Sequence, residues 1–180
     1  GVTAQVARGI GRFPNTVLHL VGSSPVPAVR DEWRNLDADS LRQLRESVMR
    51  EALAKKELPA DAWGRIEKAI EIDATLNSLK AEGVEATYHA CDVGNREDLS
   101  ALLDEIRRNS GPIVGVIHGA GFEKASRFSK KKPDLVRRTV RAKLDGALNL
   151  MELTKLDALR NFVVFGSISG RFGAVGQTDY

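Results

Sequence analysis

The sequence predicts an α/β domain built around a mostly parallel β-sheet. Three observations predict it. Four short apolar runs rich in β-branched residues, at 16–21, 86–91, 113–118 and 161–165, have the length of buried strands. Helical patterns lie between them, and strands alternating with helices imply crossover connections and parallel pairing. The 180 residues, 42% hydrophobic and 28% charged, supply one core of ordinary size and exclude a disordered or fibrous chain.

Taken in order, residues 2–12 read as a helix, and the strand at 16–21 follows. A strand-to-helix connection normally takes about 2–6 residues. Here the segment from Pro25 to about Leu79 holds two helical patterns inside a stretch running from about Asp39 to Gly83, with Pro59 between them. It reads as a helical insertion at about 26–80. Leu41, Leu44, Val48 and Ala52 mark one apolar face, and Trp63, Ile66, Ile70 and Leu76 roughly another. Residues 28–82 carry 10 basic and 12 acidic side chains of mixed sign, the pattern of solvated outer faces on a packed hairpin. The insertion is either a decoration on the sheet edge or a docking surface for a neighbouring domain. The strand at 86–91, a helix at 96–109 and the strand at 113–118 come next. A helix over 133–154, with Pro133 at its first position, leads to the strand at 161–165.

The net charge is only +3, so strong basic character must be local. Cys91 is the single cysteine, which excludes an internal disulfide framework, argues against a structural zinc site and fits a reducing, cytoplasmic setting. No apolar run reaches the roughly 18–20 residues of a membrane span. The chain starts at Gly1 without a methionine and stops at Tyr180 without a polar tail, which reads as part of something longer.

In a sheet of this kind ligands bind beyond the carboxyl ends of the strands. Gly1 and Val2 open a helix as the last glycine of a dinucleotide-binding turn would. About 20 residues later, where such a domain carries an acidic residue to read the ribose of NAD, stand Gly22, Ser23 and Ser24. These neutral residues accommodate a 2′-phosphate and favour NADP. Asp92, with Val93 after it, ends the next strand and serves either an adenine amino group or as the cap of the following helix. His118, Gly119, Ala120 and Gly121 follow the third strand. Glycines there let the backbone approach a flat ligand, while a histidine at a strand end is often a packed structural group.

Lys143 is the sharpest anomaly. It falls on the apolar stripe of Val136, Val140, Ala147 and Leu150, and lysines are rarely buried unpaired. It either snorkels to water or is held in a site. Ser167 lies just past the strand at 161–165, and Tyr180 comes 13 residues later. A tyrosine becomes a useful acid only when a nearby cation stabilises its phenolate. Lys143 would supply that cation, and Ser167 a hydroxyl to hold a substrate oxygen.

With these residues the chain resembles the ketoreductase domain of a polyketide or polyunsaturated fatty acid synthase, within the short-chain dehydrogenase/reductase family. The resemblance rests on Gly1-Val2-Thr3-Ala4, Gly22-Ser23-Ser24-Pro25, Cys91-Asp92-Val93, Gly111-Pro112-Ile113 through Gly121, Lys143-Leu144-Asp145-Gly146, and Phe165-Gly166-Ser167-Ile168-Ser169-Gly170 running to Gly176-Gln177-Thr178-Asp179-Tyr180. A lysine ahead of the serine and tyrosine is specific to these ketoreductases. The resemblance implies a Rossmann-like doubly wound sheet, incomplete at both ends here, with the insertion after its second strand. It also implies that a β-ketoacyl thioester, presented by an acyl carrier protein, is reduced to the β-hydroxyacyl thioester. Tyr180 would donate the proton, Ser167 would bond the same oxygen, Lys143 would tune the tyrosine and NADPH would deliver the hydride. Ser23 stands where the family commonly has an arginine. Phe122-Glu123-Lys124 replaces the Leu-Asp-Asp of one stereochemical class and Phe172 the tryptophan of the other, leaving the alcohol's configuration open. A non-catalytic scaffold with the same fold is the alternative.

Residues 124–141 hold Lys124, Arg127, Lys130, Lys131, Lys132, Arg137, Arg138 and Arg141 against one acid, Asp134. This run is either a solvated face or a patch that guides an acidic carrier protein to the site. Only one aromatic residue, Phe128, falls within it, against the series of stacking aromatics a nucleic-acid surface would require. Neighbouring synthase domains are the other expected partners. Because the central first strand of a 3-2-1-4-5 sheet would precede Gly1, this segment by itself is expected neither to close its sheet nor to turn over substrate.

Overall fold

The computed structural model describes residues 2–25 and 29–180. In chain order the elements are α1 (Val2–Gly11), β1 (Val17–Gly22), α2 (Ala38–Ala54), α3 (Pro59–Ala81), β2 (Glu85–Ala90), α4 (Arg96–Ser110), β3 (Gly115–His118), α5 (Pro133–Val140), a π-turn (Arg141–Asp145), α6 (Gly146–Leu153), β4 (Asn161–Val164) and α7 (Ile168–Phe172). The strands form two pairs, β1 with β2 and β3 with β4. These are the neighbours that a 3-2-1-4-5 order makes of its second and third strands and of its fourth and fifth. The chain divides into two compact units.

The first unit holds α1, β1 as far as Leu20, α2, α3 and β2. Asp37 starts α2 by accepting the Ser40 amide at 2.7 Å, and Pro59 occupies the first turn of α3, where its missing N–H costs nothing. The two helices pack as a hairpin through Ala52, Ala62 and Trp63. Farther along, α3 buries Ala69, Ile72 and Leu79 rather than the Ile70 and Leu76 read from the sequence, because that half also packs on α1 and β2. The fully buried Leu79 and the 5% exposed Val84 close this end of the unit. The insertion read at about 26–80 begins on residues 26–28, which lie outside the described residues. From residue 29 it contains a short 3-10 turn, Asp31–Trp33, then α2 and nearly all of α3.

The second unit comprises Val21–Ser23 and Cys91–Tyr180. Its core is set by α4. Asn95 caps that helix, its side-chain oxygen accepting from the Glu97 and Asp98 amides at 3.2 and 3.4 Å, and Gly111 ends it at φ +87°. Leu99, Leu102, Leu103 and Ile106 fall on one face and pack with Cys91, Val116 and Leu150. Truncating Leu99 or Leu103 to alanine would cost about 2–5 kcal/mol. Arg107 clamps α4 to the end of α6, bonding Asp157 at 2.7 and 3.1 Å and the Leu153 carbonyl at 2.8 Å. Strands β3 and β4 run parallel, with Gly115 opposite Asn161 and His118 opposite Val164. The Phe165 amide adds one more rung to the His118 carbonyl at 2.9 Å. Among the described residues no helix is long and apolar enough to cross a membrane.

The helix read over 133–154 is interrupted by the π-turn. Gly146 lies so close to its neighbours that a Cβ there would meet Val93 Cγ2 at 2.7 Å and His118 Cε1 at 3.1 Å. That approach fixes α6, and the π-turn absorbs the mismatch with α5. The 3.6-residue count therefore loses phase: Thr139 is 2% exposed, whereas Val140, expected inside, is 39% exposed.

Candidate active site

In the second unit Lys143 meets His118 and Phe165 at the carboxyl ends of β3 and β4, just ahead of the turn that bears Ser167. Lys143 sits in the π-turn and is held along its length. His118, 2% exposed, places ring Nε2 3.0 Å from the Lys143 carbonyl. The Lys143 ammonium donates to the Phe165 carbonyl at 2.9 Å. Its stem lies against Gly121, where a Cβ would meet Cε at 2.9 Å. Lys143 is half-buried rather than enclosed, with its ammonium tied to main chain.

The His118 ring is a packed group at the strand end. Burial, the largest effect, holds its imidazole below the ordinary value, while its bond to the Lys143 carbonyl opposes that shift. Cys91, buried in the core, has its thiol pushed up by burial and by Asp98 and Asp92, so it is an inert packing residue.

Ser167 follows β4 and is exposed. Its Oγ accepts the Ser169 amide at 3.2 Å and so caps α7. That bond uses a lone pair and leaves the O–H free to donate. Tyr180 is half-buried, with its amide on the Gln177 carbonyl at 3.1 Å. Among the described residues neither Ser167 nor Tyr180 bonds the Lys143 ammonium, which is committed to Phe165 two residues ahead of Ser167.

The expected dinucleotide residues are placed as follows. Gly22, the last residue of β1, accepts the Cys91 amide at 2.9 Å, and Ser23 is exposed. Asp92 accepts the Gly94 amide at 2.9 Å, and its other oxygen lies 3.3 Å from Arg141 Nη2. Asp92 is thus a turn residue, and the helix cap expected of it belongs to Asn95. The Val93 carbonyl accepts Asn149 Nδ2 at 3.0 Å. His118, Gly119, Ala120 and Gly121 form the turn beside Lys143. Val2 and Ser24 belong to the first unit; Ser24 is exposed and its carbonyl accepts the Tyr88 hydroxyl at 2.9 Å. Gly1 lies outside the described residues. A nicotinamide dinucleotide suits this donor set: the turn after β1 carries hydroxyls and no carboxylate, and the glycine turn after β3 presents main chain beside a cation. The cavity of about 390 Å³ between α2 and α3 lies in the first unit and is lined by none of these residues.

The basic run is divided by the structure. Lys131 pairs with Asp179, Arg137 with Asp134 at 2.9 Å and Arg141 with Asp92, while Arg138 lies over the Phe122 ring at 4.1 Å. Lys124, Arg127, Lys130 and Lys132 are exposed and make no ion pair among the described residues. The Lys131–Asp179 pair was missed in the sequence. Its side chains are 7% and 8% exposed, and the hydrogen bond from Lys131 holds the Asp179 carboxyl below the usual range.

Comparison with known proteins bears on the family and the fold. A family model described as the KR domain matches residues 62–180. The chain is 41% identical over 178 residues to the polyketide synthase GfsB of Streptomyces halstedii, covering 98% of this chain and 3% of that synthase. It is 26% identical over 171 residues to a polyunsaturated fatty acid synthase of a Thraustochytrium species, covering 89% of this chain and 6% of that protein. The chain therefore spans a small part of the synthases it matches. Among solved structures, an N-terminal ketoreductase from the macrolactin assembly line superposes with a TM-score of 0.70 at 21% identity, over 99% of this chain and 28% of that one, a likeness of fold. A ketoreductase from the first module of phoslactomycin biosynthesis in Streptomyces sp. HK803 gives 0.56 at 35% identity, over 60% of this chain and 25% of that one. With the family model covering well over half of its length, the chain belongs to the ketoreductase (KR) domain family.

Proposed function

We propose that this domain reduces a β-ketoacyl thioester to the β-hydroxyacyl thioester within a multidomain synthase. The observation that carries the reading is the fixing of Lys143 at the end of β4, beside the turn that bears Ser167, by bonds at both its carbonyl and its ammonium.

Tyr180 Oη gives its proton to the carbonyl oxygen as that oxygen gains negative charge, which leaves a phenolate. Ser167, whose O–H is not needed by its cap, donates a second bond to the same oxygen. One of the three Lys143 donors is taken by Phe165, which leaves two to stabilise the charge left on the tyrosine. NADPH, when bound, supplies the hydride that reduces the ketone carbon. In the second unit Gly22, Ser23, Asp92, Val93 and His118 to Gly121 would hold it, with Arg141 neutralising Asp92. The neutral turn after β1 supports NADPH over NADH.

The substrate is carried on the phosphopantetheine arm of an acyl carrier protein, and Lys124, Arg127, Lys130 and Lys132 attract its acidic face. Neighbouring synthase domains are the other partners, and the helical insertion at about 26–80 is a decoration of the ketoreductase. The test is Tyr180→Phe in the intact synthase, assayed by NADPH oxidation on a model β-keto thioester. A loss of about 10²–10⁴-fold is expected. Wild-type turnover would refute the assignment and favour a structural role.

A further inference from the structure

Asp179 precedes Tyr180 directly, and its carboxylate is enclosed with Lys131, from the turn that leads into α5. Thr139 of α5, 2% exposed, brings its hydroxyl to 3.4 Å from the second Asp179 oxygen while also bonding the Leu135 carbonyl at 3.0 Å. Two further ties run between the same segments. The Ser126 amide donates to the Gly176 carbonyl at 3.0 Å, and Gln177 Nε2 donates to Glu123. Gly176 has φ +77°, and a Cβ there would meet Ser126 N at 3.0 Å, so this approach requires glycine.

An enclosed ion pair is a poor source of stability, because desolvation offsets most of the attraction; what it supplies is a defined geometry. The contrast lies on α5 nearby, where Arg137 and Asp134 pair at 77% and 92% exposure and constrain little. We propose that Lys131 and Asp179 are positioning residues for the reduction, locking the main chain at Tyr180 to the start of α5 so that the phenol is held where the proton must be given. Gly176 and Ser126 form the second point of the lock, and Thr139 orients the carboxylate. This inference rests on the reading of Tyr180 as proton donor.

The experiment uses the intact synthase with NADPH and a model β-keto thioester, comparing Asp179→Asn, Lys131→Met, the double variant and Asp179→Glu, with Tyr180→Phe as control. A displacement of about 1 Å at a reacting group costs up to about 10²-fold. Each single variant is therefore expected to lose about tenfold or more in kcat, with KM for NADPH held within about twofold. The double variant is expected to be no worse than the more damaging single, as for two residues that act as one unit. Asp179→Glu keeps the charge while shifting the anchor, and is expected to lower kcat with the melting temperature unchanged. It decides the matter if the other variants fail to fold. Wild-type kcat in Asp179→Glu, additive losses in the double variant, or losses that track melting temperature alone would overturn the proposal. Wild-type activity in Tyr180→Phe would instead remove the proton-donor reading beneath it, whereas an inactive Tyr180→Phe beside fully active Asp179 and Lys131 variants removes only the lock.

Discussion

The ammonium of Lys143 reaches the carbonyl of Phe165 at 2.9 Å, joining a π-turn to the end of a strand 22 residues further on. The bond places the cation against the strand end rather than in solvent. Lys143→Met keeps most of the stem and removes the charge. It should lower kcat by about 10²-fold, as the loss of one preorganised charge-stabilising group does, and cost about 1 kcal/mol of stability for the lost hydrogen bond. Steady-state kinetics beside urea unfolding checks both, and unchanged kcat would contradict the role.

Gly121 is the floor on which the Lys143 stem rests. In Gly121→Ala the new methyl meets the flexible end of that side chain at 2.9 Å and little else. The fold should therefore tolerate it, with less than about 1 kcal/mol lost, while Lys143 is pushed from its place. A fall in kcat at nearly constant melting temperature is the expected result.

The buried His118 ties stability of its unit to pH. Burial holds the folded imidazole below its ordinary 6.5, so below that pH the unfolded chain binds a proton that the folded chain refuses. The group contributes nothing to the pH dependence above 6.5, and stability falls as pH drops from 6.5 toward the lower folded value. Urea midpoints at about pH 7.5 and about pH 5.5 measure this, with His118→Asn losing part of the difference. His19 of the first unit is held down by burial and by His89 with the same sign, so the comparison with His118→Asn isolates the second unit. An unchanged pH slope in that variant would contradict the assignment.

Steering by Lys124, Arg127, Lys130 and Lys132 predicts a salt effect confined to the carrier. Turnover of a carrier-bound thioester should fall with ionic strength faster than turnover of a free thioester. Neutralising Lys124, Arg127, Lys130 and Lys132 together should remove most of the difference. Equal salt slopes for the two substrates would sink the idea.

The parts legible in the sequence are those that local periodicity controls. The apolar face of α4 follows from its spacing, and the strand-end positions of His118 and Ser167 follow from the β-branched runs before them. Lys143 stood out in the sequence because a lysine falls where an apolar residue is due. What escaped were features created by contacts between distant segments. The π-turn answers the approach of Gly146 to Val93 and His118, so no count along the helix reveals it, and Val140 was misassigned in consequence. Lys131 looked like one member of a solvated basic run, yet its partner lies 48 residues away. Of the two roles the sequence leaves open for Asp92, the helix cap falls to Asn95 three residues on, which the turn between them hides.

The π-turn is the footprint of one residue more than a regular helix needs between Val140 and Gly146. Deleting Ala142 would let the segment close as unbroken α-helix, and each residue removed rotates the α5 side by about 100° relative to the α6 side. Such a chain would carry a more regular helix, with α5 and the Lys131 turn before it rotated out of phase with the strand ends. At this turn helix regularity and the placing of Lys143 at the strand ends are in opposition, and the chain keeps the irregular form.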